Sequence, residues 1–555
     1  MKKSLITLIF GVLAIVASAQ TMQDAYSFCD NVYGGTARSV GMGNAMSAVG
    51  SDIGSVTINP AGSAVSSYSQ MTLTPGFSVS SVSAYGIGKD QPDGSSSFEE
   101  KVTESAARMT LPNFGFVLNL NMNRNVGLKN VSFGFLGNAS NNFLNDMVAR
   151  GTNGNTTFAG SLASLASTWP TSSLTGDDPY FSGNAPWSVI AAYGAYIIDN
   201  EPDGSGGFFD DDYIGITEKK FADSSNPSVY RKGLAGIINQ GYGVSRFGNK
   251  YDYAFNLAMN FSDIVYVGAN LGLVSLRYRE SEYWAESAVN RDDFVVNYNG
   301  NTTKFDRFDM DYQYSVDGSG IYGKIGVIVR PVGGLRIGLT AQTPTAMTIN
   351  ERWTFDATTN FEKGSESEDS EEAESKYSLS SPAIFGAGLA YTIGSFGLIS
   401  VDYEFRDFSW MKLSSFYSED REAFREVFNG MNKDIRKYYS ASHAVRAGLE
   451  VRPIPALAIR AGYNYNTYGG LGQDGKRDTS LDKHAFSLGA GYSSKGSFFA
   501  DLAVRLRTYR EKFQPYNYYL YNADGSFYID NSINCPMIES TSYLVDALLT
   551  LGFRF

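Results

Sequence analysis

Hydrophobic and polar residues alternate without a break along the carboxyl-terminal stretch of the chain. Every second position there is apolar, in a series that ends on the last residue: Tyr543, Val545, Ala547, Leu549, Leu551, Phe553 and Phe555. The positions between them are mixed and include Asp546, Thr550 and Arg554. Because successive side chains of a strand point to opposite faces, the series predicts a strand with one apolar face. A membrane-barrel strand between lipid and a wet lumen has these two faces, although a soluble sandwich could also end on such a strand.

The same alternation recurs upstream in hairpins, for example over 445–451, 457–465 and 498–506, with charged residues on the second face. Tight turns alternate with long connections, an asymmetry typical of short periplasmic turns and long external loops. Strands are predicted near residues 70, 108, 130, 250, 264, 309, 335, 377, 397, 440, 456, 483, 498 and 541. The fold class is therefore all-β: a transmembrane antiparallel β-barrel of about 14 strands over 70–555. Residues 140–249 lack the barrel pattern and are assigned to a large external loop region.

The amino terminus has the pattern of a secretory signal peptide over residues 1–19. Lys2 and Lys3 precede an apolar stretch over 5–16, and Ala17-Ser18-Ala19 provides a small-residue cleavage site, so the mature chain starts near Gln20. We expect export to the outer membrane of a Gram-negative bacterium.

Composition excludes two other classes of protein. No run of 18 apolar residues exists, and the mean hydropathy of -0.20 excludes a bundle of membrane-spanning helices but not a barrel. The net charge of -12 argues against a nucleic-acid partner, which needs a concentrated basic surface. A disulfide between Cys29 and Cys535, the only cysteines, is allowed by an oxidising exterior but not implied.

Residues 20–69 are predicted to fill the lumen, because a ring of about fourteen strands is too wide for wall side chains to close. This segment contains Arg38-x-x-Gly41-Met42-Gly43 and, further on, Asn59-Pro60-Ala61-Gly62. In this order and spacing after a signal peptide, the two pieces resemble the N-terminal hatch of the FadL/TodX outer-membrane transporters of hydrophobic compounds. The terminal Phe555 also resembles the end of the closing strand in bacterial outer-membrane barrels.

The resemblance implies a route for the transported molecule. It would enter an external apolar groove, reach a site touching the hatch, and leave sideways beside a kinked third strand. Here that strand is Val131 to Phe135, and Gly137 and Asn138 are the lateral-gate candidates, unless the strand simply ends there. Arg38 is expected to pair with a wall carboxylate such as Asp402 or Glu404, or to meet an acid group of the ligand.

Five residues of the hatch are candidate ligand contacts, although filling the lumen core would equally explain their apolar side chains: Phe28, Val32, Met42, Met46 and Val49.

Catalytic and cofactor chemistry are not indicated. The chain has no phosphate-binding loop of the Walker type, so transport is expected to be passive, without cofactors. Its only histidines are His443 and His484, and neither suggests a nucleophile–histidine pair, so we do not expect an enzyme. Asp199-x-Glu201-x-Asp203 resembles a calcium loop, but Glu201 and Pro202 depart from that motif, and no metal site is assigned.

We therefore expect a monomeric, passive outer-membrane transporter for long-chain fatty acids or other hydrophobic molecules. Its partners would be those small molecules together with outer-membrane lipid and lipopolysaccharide. Two alternatives stay open: a barrel of the same superfamily that serves as a protein-secretion partner, and a general porin.

Overall fold

The structure is a computed structural model that describes residues 22–182, 185–203, 205–222, 230–298, 300–417, 422, 424–472, 474–494, 496–521 and 527–555. The predicted signal peptide at 1–19 lies outside these residues.

A single closed antiparallel barrel dominates the fold, and the predicted count of fourteen strands is confirmed. Each strand pairs with its neighbours along the chain, and the first strand pairs with the last from Gln70–Arg554 to Gly86–Ile538. In chain order the strands are Gln70–Gly86, Val102–Asn121, Leu128–Asn142, Ile238–Phe261, Val265–Ala288, Asn301–Val332, Leu335–Gln342 with Ala346–Phe361, Ala373–Ser380 with Ile384–Ile393, Gly397–Asp407, Ala441–Ile454, Leu457–Asn466, Lys483–Ser493, Phe498–Phe513 and Ile538–Arg554.

Two faces of the wall differ as the alternation predicts. Outward positions carry exposed apolar residues such as Leu271, Leu389, Val401, Leu549 and Leu551. Inward positions carry buried polar and charged residues: Asn256, Asn270, Lys324, Asp402, Arg446, Glu450, Arg460, Asp501, Arg505 and Asp546. The outer surface is thus suited to lipid, whereas the inner surface needs polar partners.

The two ends of the barrel differ in the length of their connections. At one end, which we call the short-turn end, tight turns such as Ser262-Asp263 and Gly333-Gly334 join the strands. The opposite end, which we call the long-loop end, carries helices and short strands in addition to the barrel strands. These are the helices Phe158–Ala166, Ser172–Thr175, Pro179–Ser182, Trp187–Gly194 and Arg425–Tyr438, and the short strands Asn145–Asn153, Ile198–Pro202, Phe208–Gly215, Glu218–Ala222, Tyr230–Leu234, Val295–Tyr298, Ser365–Asp369, Lys412–Ser415, Tyr519–Tyr521 and Phe527–Ile529.

The predicted external loop region at 140–249 is too wide. Residues 140–142 belong to the third strand, Asn145–Asn153 pairs with the fourth strand, and that strand already begins at Ile238. The polar composition of these pieces hid them, because Asn145–Asn153 packs against other strands of the protein rather than against lipid. The packed part at the long-loop end is built around the helices between Phe158 and Gly194.

Cys29 and Cys535 are both buried and free, Cys29 in a cluster with Phe28 inside the barrel and Cys535 in a cluster with Phe158 at the long-loop end. No helix in the described ranges is long and apolar enough to cross a membrane.

Candidate functional site

Residues 22–69, the N-terminal segment, lie within the ring of strands as a series of short capped helices. After a helix over 22–29, Thr36 caps Ala37–Gly41 and Asp52 caps Ile53–Thr57. Asn59 caps Pro60–Val65, its Oδ1 accepting from the Ala61 N–H at 3.1 Å. Pro60 takes the first helical position, where its missing N–H costs nothing. The Asn-Pro-Ala motif is therefore a helix start.

Glycines on the wall let the N-terminal segment approach the strands at backbone distance. A Cβ at any of five inward wall glycines would lie between 2.0 and 2.5 Å from an atom of the segment: Gly268, Gly326, Gly338, Gly448 and Gly462. On the segment, Gly43 has φ +63°, and a Cβ there would lie 2.8 Å from the Tyr463 N. These glycines belong to five different strands, so the segment touches the wall around much of its circumference.

Polar side chains fix the segment at this close approach. Asn59 Nδ2 donates to the Ser47 carbonyl at 2.6 Å and to the Val327 carbonyl on the wall at 3.3 Å. From the wall, Asn270 donates to the Val56 carbonyl at 2.8 Å, and Asp402 accepts from the Ser47 N–H at 2.7 Å. Each bond satisfies a buried group that water cannot reach.

Arg38 forms an ion pair with the wall, but its partner is Glu450, at 2.9 Å, rather than Asp402 or Glu404. Glu450 is 1% exposed and also pairs with Arg452 and Arg460. Strand register decides this choice, because Glu450 faces inward at the level of the helix Ala37–Gly41. Glu404 instead pairs with Arg406 and Arg446 and accepts from the Tyr33 hydroxyl at 3.0 Å.

The second and third strands separate at the lateral-gate candidates. Their paired residues run from Asn121 with Asn130 to Asn113 with Asn138. The next main-chain pairing is an isolated bridge between Glu100, just before the second strand, and Arg150, in the short strand Asn145–Asn153. We call the interval between these pairings the wall gap. Just beyond Asn138, the pairing of the third strand with the fourth shifts register between Ala139 and Asn141. The third strand thus continues past Gly137 and bends, and does not simply end there.

Within the wall gap, the N-terminal segment replaces the missing strand neighbour. The Val32 N–H donates to the Ser140 carbonyl at 2.7 Å, and the Gly34 N–H to the Ala139 carbonyl at 2.8 Å. Asn138 Nδ2 also reaches the segment, at 2.6 Å from Thr57 Oγ1. The bend is therefore satisfied from the lumen side, and the second strand is left without these partners.

Among the described residues, side chains bridge the wall gap on its outer side, between the second strand and the fourth. The Tyr251 hydroxyl donates to the Leu111 carbonyl at 3.0 Å, and the Arg108 guanidinium donates to the Gly248 carbonyl at 2.7 Å. Side-chain bridges open more easily than a ladder, because each involves a rotamer rather than a pair of strands.

Aromatic rings flank the bend on both sides. Outside, Phe114 and Phe135 have ring centroids 6.4 Å apart, and a Cβ at Gly137 would lie 2.5 Å from the Phe114 ring. Inside, Phe143 lies edge-on to Phe28, at 6.4 Å, and to Tyr278, at 5.1 Å. Apolar surface therefore reaches the third strand from the lumen and from the lipid side.

The five candidate ligand contacts divide into two groups. Phe28 and Val32 lie beside the bend, Phe28 fully buried and Val32 half-buried. Met42, Met46 and Val49 lie away from it, in a buried cluster with Tyr33, Ala48, Ile58 and Ala390. The second group fills the core between segment and wall.

The cavities of the lumen are small near the centre. Those beside Cys29 and beside Asp30 each measure about 10 Å³, room for a single water molecule. On the outer side, a depression of about 480 Å³ near Glu100 and Arg150 is lined by charged and polar residues, so it does not match the expected apolar groove.

The acidic side chains of the calcium-like loop at 199–203 form ion pairs and hydrogen bonds with other groups of the protein. Glu201 pairs with Lys220 at 2.5 Å and with Lys232 at 2.7 Å, and Asp203 accepts from the Ser205 and Gly207 N–H groups. Among the residues that the structure describes, no group of three or more His, Cys, Asp or Glu is placed to hold a metal ion.

Two contributors to this site were missed from the sequence. Phe143 follows a polar stretch and has no periodic signal, and Glu450 looked like one wall charge among many. The glycines at inward positions of five different strands were a usable signal for the close approach of a second layer.

Comparisons with known proteins find similar solved structures. These are a Pseudomonas aeruginosa FadL homologue (12% identity, TM-score 0.48, covering 94% of this chain and 99% of that one), the P. putida toluene transporter TodX (12%, 0.47, 94% and 99%) and the Ralstonia pickettii toluene transporter TbuX (12%, 0.45, 94% and 98%). No family model matches the chain, and no curated protein matches it.

Proposed function

We propose that this chain is a passive outer-membrane transporter of hydrophobic molecules, with the N-terminal segment as its hatch and the wall gap as its lateral exit. Long-chain fatty acids and monoaromatic hydrocarbons are the substrate classes to test first. The observation that carries the proposal is the bend just past Gly137 and Asn138, where the segment bonds to Ala139 and Ser140 of the third strand in place of the second strand.

The two-faced wall supports the location. Exposed apolar side chains on the outer face suit the hydrocarbon core of a membrane, and the first and last strands pair to close the barrel. The hatch-like motif, Arg38-x-x-Gly41-Met42-Gly43 followed by Asn59-Pro60-Ala61, supports the family resemblance independently of the strands.

A lateral exit fits the physical chemistry of an apolar substrate. Each CH2 group favours leaving water by about 0.8 kcal/mol, so a route that ends in lipid is downhill without any energy source. The rings of Phe28, Phe143 and Tyr278 line the lumen side of the bend, and Phe114 and Phe135 line its outer side. The route passes through the wall gap beside the third strand, between these two groups of rings.

The filled lumen favours a transporter over a general porin. A porin needs a continuous aqueous bore, whereas the described N-terminal segment contacts the wall at backbone distance and leaves only water-sized cavities beside Cys29 and Asp30. Planar-bilayer recording separates the two functions: the transporter gives little steady ion conductance, and a porin conducts continuously.

Uptake of labelled oleate and labelled toluene by cells with and without the gene tests the proposal. The transporter raises uptake of at least one of the two probes above the gene-free level. Unchanged uptake of both would contradict it and favour a role as a secretion partner.

A further inference from the structure

A cavity of about 350 Å³ opens at the short-turn end of the barrel, between the N-terminal segment and the wall. We call it the short-turn vestibule. Its lining includes Arg38 and Asp52 from the segment and Gln70, Arg336 and Arg554 from the wall. It lies on the far side of the segment from the aromatic cluster at Phe28, so it is separate from the proposed lateral exit.

Charge in the short-turn vestibule is unbalanced. Five arginines and three carboxylates line it, an excess of two positive charges. All three carboxylates already have partners: Glu450 pairs with three arginines, Asp501 pairs with Arg460, and Asp52 accepts from the Thr36 hydroxyl.

Two arginines supply the excess. Arg336 donates to the Val49 carbonyl, and Arg554 donates to the Ser493 hydroxyl at 2.9 Å. Within the described part of the chain, neither has a carboxylate within ion-pair distance. The Arg554 guanidinium is fixed between two rings, 4.4 Å from the Phe499 centroid and 5.2 Å from the Tyr68 centroid. A guanidinium held in this way loses little freedom when it binds an anion.

A buried donor adjoins these arginines. Gln70 lines the vestibule, is 3% exposed, and its Nε2 has no hydrogen-bond partner among the described residues. The Nε of Arg554 is also buried without a partner. Unsatisfied buried donors are costly, and an acceptor bound in the cavity would remove that cost.

The rest of the lining limits the kind of anion. Leu398, Leu457 and the Phe499 ring supply apolar surface beside the guanidinium groups. We infer that the short-turn vestibule binds a small organic carboxylate, with its carboxylate against Arg336, Arg554 and Gln70 and its apolar body against these side chains. The cavity is large enough for an aromatic monocarboxylate.

Binding of benzoate to the full-length protein in detergent, measured by isothermal titration calorimetry, tests this assignment. Benzamide serves as the neutral probe of the same shape, and inorganic phosphate as the anion without an apolar body. Benzoate is expected to bind and the other two to bind at least about tenfold more weakly, because charge and apolar contact both contribute. Absent benzoate binding, or equal binding of benzamide or phosphate, would overturn the inference.

Variants locate the site. Arg336→Gln combined with Arg554→Gln is expected to weaken benzoate binding about tenfold, and Gln70→Glu to weaken it comparably by adding a like charge. Arg330→Gln is the matched control, because Arg330 lies at the same end but outside the cavity lining. Heat-modifiable gel mobility checks that each barrel has folded. Equal loss in the control would overturn the inference, as would full binding by the folded double variant.

Discussion

The backbone N–H of Val32 donates to the Ser140 carbonyl at 2.7 Å, so the N-terminal segment holds the bend of the third strand directly. Val32→Pro removes this donor, and we expect faster amide hydrogen exchange over residues 138–142, since a buried hydrogen bond contributes about 1 kcal/mol. Val126→Pro, at a 78% exposed turn position, is the control. Unchanged exchange at 138–142 in Val32→Pro would show that the bend does not depend on the segment.

Asn59 has two separable roles, as helix cap and as a link to Ser47 and the wall. Asn59→Ser keeps a cap but is too short for the link, whereas Asn59→Ala loses both. We expect docking of the segment to weaken by about 1 kcal/mol in the first variant and about 2 kcal/mol in the second. Trypsin cleavage after Arg38 in the folded protein measures this. Equal rates in wild type and both variants would exclude these roles.

Replacing Glu450 should destabilise the folded protein more than replacing Arg38, although the two residues form one ion pair. Arg38→Gln leaves Glu450 with Arg452 and Arg460, but Glu450→Gln leaves three neighbouring arginines without their shared carboxylate. Because uncompensated buried charge is costly, Glu450→Gln should destabilise by roughly 2 kcal/mol more than Arg38→Gln. Urea unfolding in lipid vesicles gives both values, and a larger effect of Arg38→Gln would contradict the charge arrangement.

Asp52 makes the docking of the N-terminal segment depend on pH. Burial raises the pKa of Asp52 above its ordinary value of 3.8, against the lowering influence of Arg38. A folded-state pKa above the unfolded one means that ionisation opposes docking, so this opposition is absent at low pH and grows as pH rises through the folded pKa. The wild type should therefore lose stability relative to Asp52→Asn as the pH rises above about 4. The opposite slope in the free energy of unfolding by urea would contradict the assignment.

The strands were predictable because their signal is local. The alternation from Tyr543 to Phe555 needs only the neighbouring residues, and the lipid outside enforces it over most of the wall. The width of a ring of about fourteen strands is in turn the basis for predicting that residues 20–69 fill the lumen.

The partners inside the barrel were not predictable in the same way. Arg38 meets Glu450 rather than Glu404 because of the stagger between strands, which depends on pairings far apart in the chain. The strand Asn145–Asn153 was missed because it faces protein instead of lipid. The bend just past Asn138 was visible as a Gly-Asn signal, but the donor that holds it, Val32, lies over a hundred residues away.

The most direct test of the proposed exit is uptake of labelled toluene and oleate by cells carrying Phe143→Glu. Phe143 lies between Phe28 and the bend, and a carboxylate there would oppose passage of an apolar molecule. Phe181→Glu, on the long-loop side, is the matched control, with outer-membrane amounts equalised by immunoblot. The account predicts uptake at least about tenfold lower in Phe143→Glu and unchanged in Phe181→Glu. Wild-type uptake by Phe143→Glu, or an equal loss in both variants, would contradict it.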